Sequence, residues 1–462
     1  MSNTSQASNR ISSLLDENSF VEIGAMVTAR STDFNMNPKE APADGVVTGY
    51  GLIDGDLVYV YSQDAAVMGG SVGEMHAKKI SRLYDMAMKM GAPVIGLIDS
   101  SGLRLMEASD ALNAFSRIYR KQAMASGVIP QISAVFGSCG GGLAISASLA
   151  DFTFIEAKKG KLFVSSPNAI AGNYEEKLDT AAAAFQAEES GNADFVCEES
   201  EIYSKIRELV SMLPSNNEDG GRVTECQDDL NRTCANLAGF DGDVVSILQT
   251  IADDNNYLEV KSSYAKDMSI GFIRLNGTTV GCVANAESVL KPYGCLKAAD
   301  FINFCDAFDI PLLSLTNVTG FGSCIECEKR IADAAAKLTF AFANADVPKV
   351  NLVIGKAFGS AYSVMNSSAL GCDVTFAWEK ASIGMMDADL AASVICEGKD
   401  EDARKVCADE YKKLQNSVDS AARRGYVDSV INADDSRKYL IGAFEMLYTK
   451  REDRPIKKHG AV

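Results

Sequence analysis

The chain repeats its own architecture. Around Gly91 it reads GAPVIGLIDSSGLRL, and around Asp309 it reads DIPLLSLTNVTGFGS. Each is a proline, an apolar run of strand length, and a polar turn containing glycine. Placing Pro93 on Pro311 gives an offset of 218 residues (311 − 93). The same offset carries Gly102 onto Gly320, Pro130 onto Pro348 and Gly141 onto Gly359. Solenoid repeats run about 20–50 residues, so one long period indicates a duplicated domain instead. A length of 462 residues suits two domains of about 200 residues each.

The approach to each copy repeats too. GVVTGYGLIDGDLVYVYSQD (45–64) and DMSIGFIRLNGTTVGCVANA (267–286) read as hairpins, turning at Asp54-Gly55 and Asn276-Gly277. Both dipeptides tolerate the positive φ angles of a two-residue hairpin loop. Each copy then predicts helix, strand, glycine turn, helix, strand, glycine loop, small-residue helix and strand. Strands alternating with helices imply a layered α/β fold. The polar, acidic stretch 214–229 is the expected joint. The predicted domains are 1–222 and 223–462, alike in fold and related by a pseudo-twofold. The acidic, alanine-rich stretch 173–207 reads as helical, and a tail of helices is expected from about Asp400.

A net charge of −18 repels nucleic acid and anionic lipid, which argues against both as partners. A bound phosphate of any kind would need a locally basic site. The opening residues are polar and no apolar run approaches the ~20 residues of a membrane span. With twelve cysteines, that fits a reducing cytoplasm. Cys324-Ile325-Glu326-Cys327 invites a zinc or redox reading. A zinc site needs four ligands, and with His76 and His459 the only histidines, no metal is expected.

Two loops carry the chemical interest. Gly137-Ser138-Cys139-Gly140-Gly141-Gly142 follows the apolar strand SAVF and precedes a helix of small residues. Glycine permits close approach to the backbone, and a helix start offers free N–H groups. Such a loop can hold an oxyanion. It would equally serve as a tight strand-to-helix turn. The second copy, Phe358-Gly359-Ser360-Ala361, favours the chemical reading. Neither histidine sits in a nucleophile motif, so a Ser-His-Asp hydrolase is not expected.

On these residues the chain resembles the carboxyltransferase subunits of biotin-dependent acyl-CoA carboxylases and of acyl-CoA decarboxylases, of the propionyl-CoA carboxylase beta, methylmalonyl-CoA and glutaconyl-CoA decarboxylase type. The strongest likeness is VMGGSVGEMHAKKISRLYDMAMKMGAPVIGLIDSSGLRL (67–105). The loop at 137–142, and the segments 297–315, 347–362, 425–440 and KKHG (457–460), are also similar. The resemblance implies two crotonase-like ββα domains. It implies transfer of a carboxyl group between biotin, on a separate carrier protein, and the α-carbon of a short-chain acyl-CoA, propionyl/methylmalonyl-like or related.

By the family's pattern, Gly141 and Gly142 hold the thioester oxygen, and Ser360 and Ala361 the biotin oxygen. Phe358, Gly359, Gly320 and Phe321 would surround biotin. Gly102, Gly140, Arg104, Lys78, Lys79 and Ser363 would contact the acyl-CoA. Implied partners are a biotin carboxyl carrier protein, a biotin carboxylase or membrane decarboxylase subunit, and further copies in a dimer or a trimer of dimers. Ser360 stands where the family has glycine, and Ser101-Gly102-Leu103-Arg104 replaces its Gly-Gly-Ala-Arg. The alternatives are a non-catalytic structural paralogue and a crotonase-type hydratase or isomerase. Ala87-Met88-Lys89-Met90 mimics a biotin-attachment sequence, but it ends an amphipathic helical run, so biotin is expected elsewhere.

Overall fold

The structure is a computed structural model describing residues 5–30, 41–219, 223–235, 237–239 and 243–452. His459 and the KKHG segment lie outside these residues. The chain divides into two compact units, 1–220 and 221–462.

The first unit opens with α1 (Gln6–Leu14) and β1 (Val21–Glu22). The hairpin follows as β2 (Val46–Ile53) and β3 (Asp56–Gln63), with Asp54 at φ 50 and Gly55 at φ 87. Next come α2 (Glu74–Met90), β4 (Val94–Ser100), α3 (Ala108–Ala125), β5 (Gln131–Gly140) and α4 (Gly142–Ser148). The unit closes with β6 (Phe152–Glu156), β7 (Lys161–Phe163), α5 (Asn173–Glu176), α6 (Ala183–Glu188), β8 (Phe195–Cys197) and α7 (Glu199–Met212). Its sheet runs β1-β2-β3-β4-β5-β6-β8, with β7 beside the end of β5. β4 is apolar from Val94 to Ile98 and buried on both faces there, as a central parallel strand must be. α2 turns Ala77, Ile80, Leu83, Tyr84 and Ala87 inward, the i, i+3, i+4 stripe of a helix on a sheet.

The second unit starts with α8 (Val244–Ile251), β9 (Tyr257–Val260), β10 (Met268–Leu275), β11 (Thr278–Asn285) and β12 (Val289–Leu290). It continues through α9 (Pro292–Ala307), β13 (Leu312–Val318), β14 (Gly320–Phe321), α10 (Ile325–Glu328), α11 (Ile331–Asn344), β15 (Lys349–Phe358) and α12 (Gly359–Val364). After β16 (Val374–Trp378) and β17 (Ser382–Gly384) come α13 (Ala388–Ile395), α14 (Glu401–Tyr411), α15 (Val418–Arg423), β18 (Ser429–Ile431) and α16 (Ser436–Leu447). Its sheet order, β18-β16-β15-β13-β11-β10-β9 with β17 beside β15, is the first unit's order strand for strand.

The duplication extends to single side chains. Lys79 and Lys297 are one offset apart and both are buried. Lys79 Nζ donates to the carbonyls of Ala43 and Val46. Lys297 Nζ donates to those of Lys261, Tyr264 and Met268, each at 2.8 Å. In both units this ammonium ties down the chain entering the hairpin. Likewise the Asp99 carboxylate occupies the space a Cβ would need at Gly137, and the Asn317 amide does so at Gly355.

The stretch 173–207 departs from the expected helix. Its last part is α7, but Gly191 turns at φ 69 and residues 195–197 form β8. Phe195 pairs with Phe154 on β6, their rings stacked 4.5 Å apart. A parallel strand register with buried aromatic contact outweighs the local alanine content. The tail also carries a strand, β18, between its helices.

Candidate active site

In the first unit β5 ends at Gly140, Gly141 turns, and α4 begins at Gly142. Gly141 sits at φ 62, ψ −131, a conformation open in practice only to glycine. Its N–H donates to Phe163 O on β7 at 2.8 Å. This corrects the expectation that Gly141 and Gly142 both donate to a ligand: the Gly141 amide is held by the sheet edge. The first N–H groups of α4, those of Gly142 and Leu143, have no intrahelical acceptor. The Tyr119 hydroxyl donates to Gly142 O at 2.6 Å and pins the start of the helix. Burial raises the Tyr119 pKa, with a smaller push from Cys139, so the phenol remains a donor at neutral pH.

The turn after β4 lies alongside. Gly102, at φ 94, is so close to β5 that a Cβ there would stand 3.2 Å from Gly140 O. Val72 bridges this turn, its N–H donating to Gly102 O at 2.8 Å while Arg104 N–H donates to Val72 O at 3.0 Å. Leu103 therefore faces its own N–H away from the bridge, and that group finds no backbone acceptor among the described residues. Leu103 is absent from the sequence-derived residues. The offset that maps it onto Phe321, which was included, would have found it.

Two expected CoA contacts are engaged elsewhere. Arg104 is 3% exposed. Its guanidinium binds Asp44 at 2.5 Å, Glu107 at 2.9 Å and Ser71 O at 2.7 Å. Lys79 is buried among the carbonyls described above, and desolvation lowers its pKa to about 8. Arg104 neutralises buried carboxylates and Lys79 satisfies buried carbonyls of their own unit, so neither is offered to a phosphate. Of the three basic candidates, Lys78 is the exposed one.

The second unit repeats the arrangement. β15 runs to Phe358, Gly359 turns at φ 62, and α12 begins. Ser360 and Ala361 lie in its first turn, where N–H groups lack intrahelical acceptors. Ser360 and Ser363 are exposed and Ala361 is buried. Gly320 and Phe321 form β14, paired in parallel with β12 at Val289 and Leu290, the counterpart of the Val72–Leu103 bridge. A cleft of about 760 Å³ opens on this loop, lined by Gly359, Ser360, Ser363, Met385, Arg424 and Tyr426 among others. The clamp differs between units. Lys337 replaces Tyr119 at the matching position and pairs with Asp333 on its own helix at 3.1 Å.

Acid–base groups are scarce. His76 is fully buried, with Nδ1 3.0 Å from Asp44 O, and desolvation drives its pKa down to about 3. α4 carries no carboxylate. Glu107, the nearest acidic residue after Gly102, is bound to Arg104 and to Glu74 N–H. The donor set is backbone amide.

A parallel-sheet unit ending in a glycine loop at a helix start, present twice, defines a two-domain crotonase-like protein. Its residues 3–462 match the carboxyl transferase domain. The chain is 40% identical to the methylmalonyl-CoA decarboxylase subunit alpha of Propionigenium modestum over 99% of its own length and 92% of that protein. It is 40% identical to the propionyl-CoA carboxylase beta chain of Roseobacter denitrificans, covering 99% and 93%. Among solved structures it is similar to a transcarboxylase 12S hexamer with methylmalonyl-CoA bound, at TM-score 0.94 and 36% identity, covering 98% and 92%. The chain belongs to the carboxyl transferase domain family.

Proposed function

We propose that the two glycine loops are the two halves of a carboxyl-transfer chemistry. The chain is a biotin-dependent acyl-CoA carboxyltransferase, a subunit of a carboxylase or decarboxylase complex. The observation that carries this reading is the repetition of one backbone-donor loop, a glycine turn at a helix start, in both units. A backbone oxyanion site stabilises a developing enolate without titrating, and one such donor is worth about 3–4 kcal/mol. We assign the Gly142 and Leu103 N–H groups to the thioester oxygen of a short-chain acyl-CoA of the propionyl or methylmalonyl kind, and Ser360 and Ala361 to the biotin ureido oxygen. The cleft beside Ser360 and Ser363, with Arg424 and tyrosine on its walls, suits a small polar bicycle. Biotin supplies the transferable carboxyl group and the base.

Lys89 lies in the last turn of α2, before Gly91 in the left-handed conformation, and not on a β-hairpin. We therefore assign biotin to a separate carrier protein and place the carboxyltransferase domains at 1–222 and 223–462. A biotin carboxylase or membrane decarboxylase subunit completes the complex, and the subunit works as a homo-oligomer in the cytoplasm. Among the described residues no helix is long and apolar enough to cross a membrane, and all twelve cysteines are free.

The test is decarboxylation of malonyl-, methylmalonyl- and glutaconyl-CoA by the purified subunit with free biotin added. Biotin-dependent turnover of at least one is expected. Turnover independent of biotin, or hydration of an enoyl-CoA instead, would overturn the assignment. Light scattering should report an assembly; a fully active monomer would refute the oligomeric part.

A further inference from the structure

We infer that Cys324 and Cys327 form a reversible dithiol–disulfide site that exchanges with small-molecule or protein disulfides, a modification site separate from carboxyl transfer. Of the twelve cysteines, Cys324 is the exposed one, and eight are buried. It caps α10, and its Sγ accepts the Cys327 N–H at 3.1 Å. The two sulfurs are in direct contact. A Cys-x-x-Cys pair in which one sulfur is solvated and accepts an amide is the arrangement that favours thiolate. Cys324 is held below the usual thiol range, first by its hydrogen bond with Cys327 and then by backbone N–H groups. Burial pushes Cys139, Cys282, Cys295 and Cys372 the other way. A metal reading fails for want of ligands: among the described residues no cluster of three or more cysteine, histidine or carboxylate groups surrounds the pair.

The exchange balances without a further reagent. The Cys324 thiolate attacks one sulfur of a disulfide R–S–S–R. A new S–S bond forms and R–S⁻ leaves, taking up a proton. Cys327, deprotonated, attacks Cys324 Sγ and expels the second R–S⁻. Two protein thiols are oxidised by two electrons and one disulfide is reduced to two thiols. The bond would act on its neighbours. A Cβ at Gly322 would lie 2.9 Å from Cys327 Sγ, and Gly322 N–H donates to Leu290 O at 2.9 Å. The pair therefore backs directly onto the short strand that carries Gly320 and Phe321.

The experiment treats the full chain with glutathione disulfide in the absence of air, quenches with an alkylating reagent, and maps modified peptides by mass spectrometry. The peptide holding Cys324 and Cys327 should lose both alkylation sites before Cys197, Cys226 and Cys407 react, and dithiothreitol should restore both. Cys327→Ser should stop with one glutathione on Cys324, and Cys324→Ser should remove the early reaction altogether. A wild-type pair that stays alkylatable after the partly exposed cysteines have reacted would overturn the proposal, whatever the variants do. A protein inactive in carboxyl transfer would still give this readout, so the two readings fail independently.

Discussion

Gly142 should be replaceable only together with Tyr119. Gly142 has an ordinary negative φ, so alanine is conformationally allowed there, and the obstacle is steric. A Cβ built on Gly142 lies 2.6 Å from Tyr119 Oη, with the Phe115 ring 3.8 Å away. The same hydroxyl donates to Gly142 O. Gly142→Ala must therefore push the phenol off its acceptor or push the first turn of α4 out of place. Overpacking of this kind costs about 1–3 kcal/mol, or roughly 2–4 °C of melting temperature per kcal/mol in a domain of this size. A displaced donor should lower turnover about 100-fold. Tyr119→Phe alone removes one hydrogen bond, about 1 kcal/mol. The double variant removes the clashing oxygen and should be no less stable than Tyr119→Phe, a coupling of about 1–3 kcal/mol. It should also regain most of the lost turnover. The assay is a double-mutant cycle in chemical denaturation, run beside biotin-dependent decarboxylation. A Gly142→Ala protein with native stability and full turnover would refute the steric argument. A double variant no better than the single one would refute the role given to Tyr119.

Three further outcomes are expected. Arg104→Met should destabilise the first unit by about 3–5 kcal/mol, because Asp44 and Glu107 are left buried and unpaired; Lys78→Ala should melt like wild type and raise KM for acyl-CoA, and the reverse pattern would reinstate Arg104 as a ligand contact. Burial, the largest influence, pushes Asp151 up to about 7; the folded state then holds this proton more tightly than the unfolded chain, so its contribution is fully present below about pH 4 and lost as pH rises through about 7. Asp151→Asn should flatten stability over that window, and an unchanged pH profile would contradict it. The purified chain should give no streptavidin signal, since Lys89 is helical; a signal abolished by Lys89→Arg would overturn external biotin.

The repeat was legible because prolines and glycines mark chain geometry locally: Pro93 and Pro311 open strands, and Gly141 and Gly359 turn with positive φ wherever the fold requires it. Positions whose meaning depends on distant partners were not legible. Arg104 looks like a surface cation until Asp44, 60 residues upstream, is seen beside it. Lys79 finds its carbonyl acceptors at Ala43 and Val46, 36 and 33 residues upstream. The Gly141 amide is taken by Phe163, on a three-residue strand too short to leave a pattern. The role proposed for Leu103 falls on its backbone N–H, about which its side chain says nothing. Strand β8 was hidden for the opposite reason, its few apolar residues lying in an acidic, alanine-rich context.

The two ends of the first unit are tied together by arginines. Arg10 on α1 reaches Asp99 and Glu199, while Arg207 on α7 reaches Leu14 O at 3.0 Å and Asp16 at 2.8 Å. The partners Leu14 and Arg207 are 193 residues apart, which a ribosome making about 5–20 residues per second covers in roughly 10–40 s. During that interval α7 is not yet made, and the buried face of α1, Ala7, Ile11 and Leu14, can rest only on the earlier strands β2 and β3. Translation speed, more than any local helix preference, sets how long the nascent chain remains in that state.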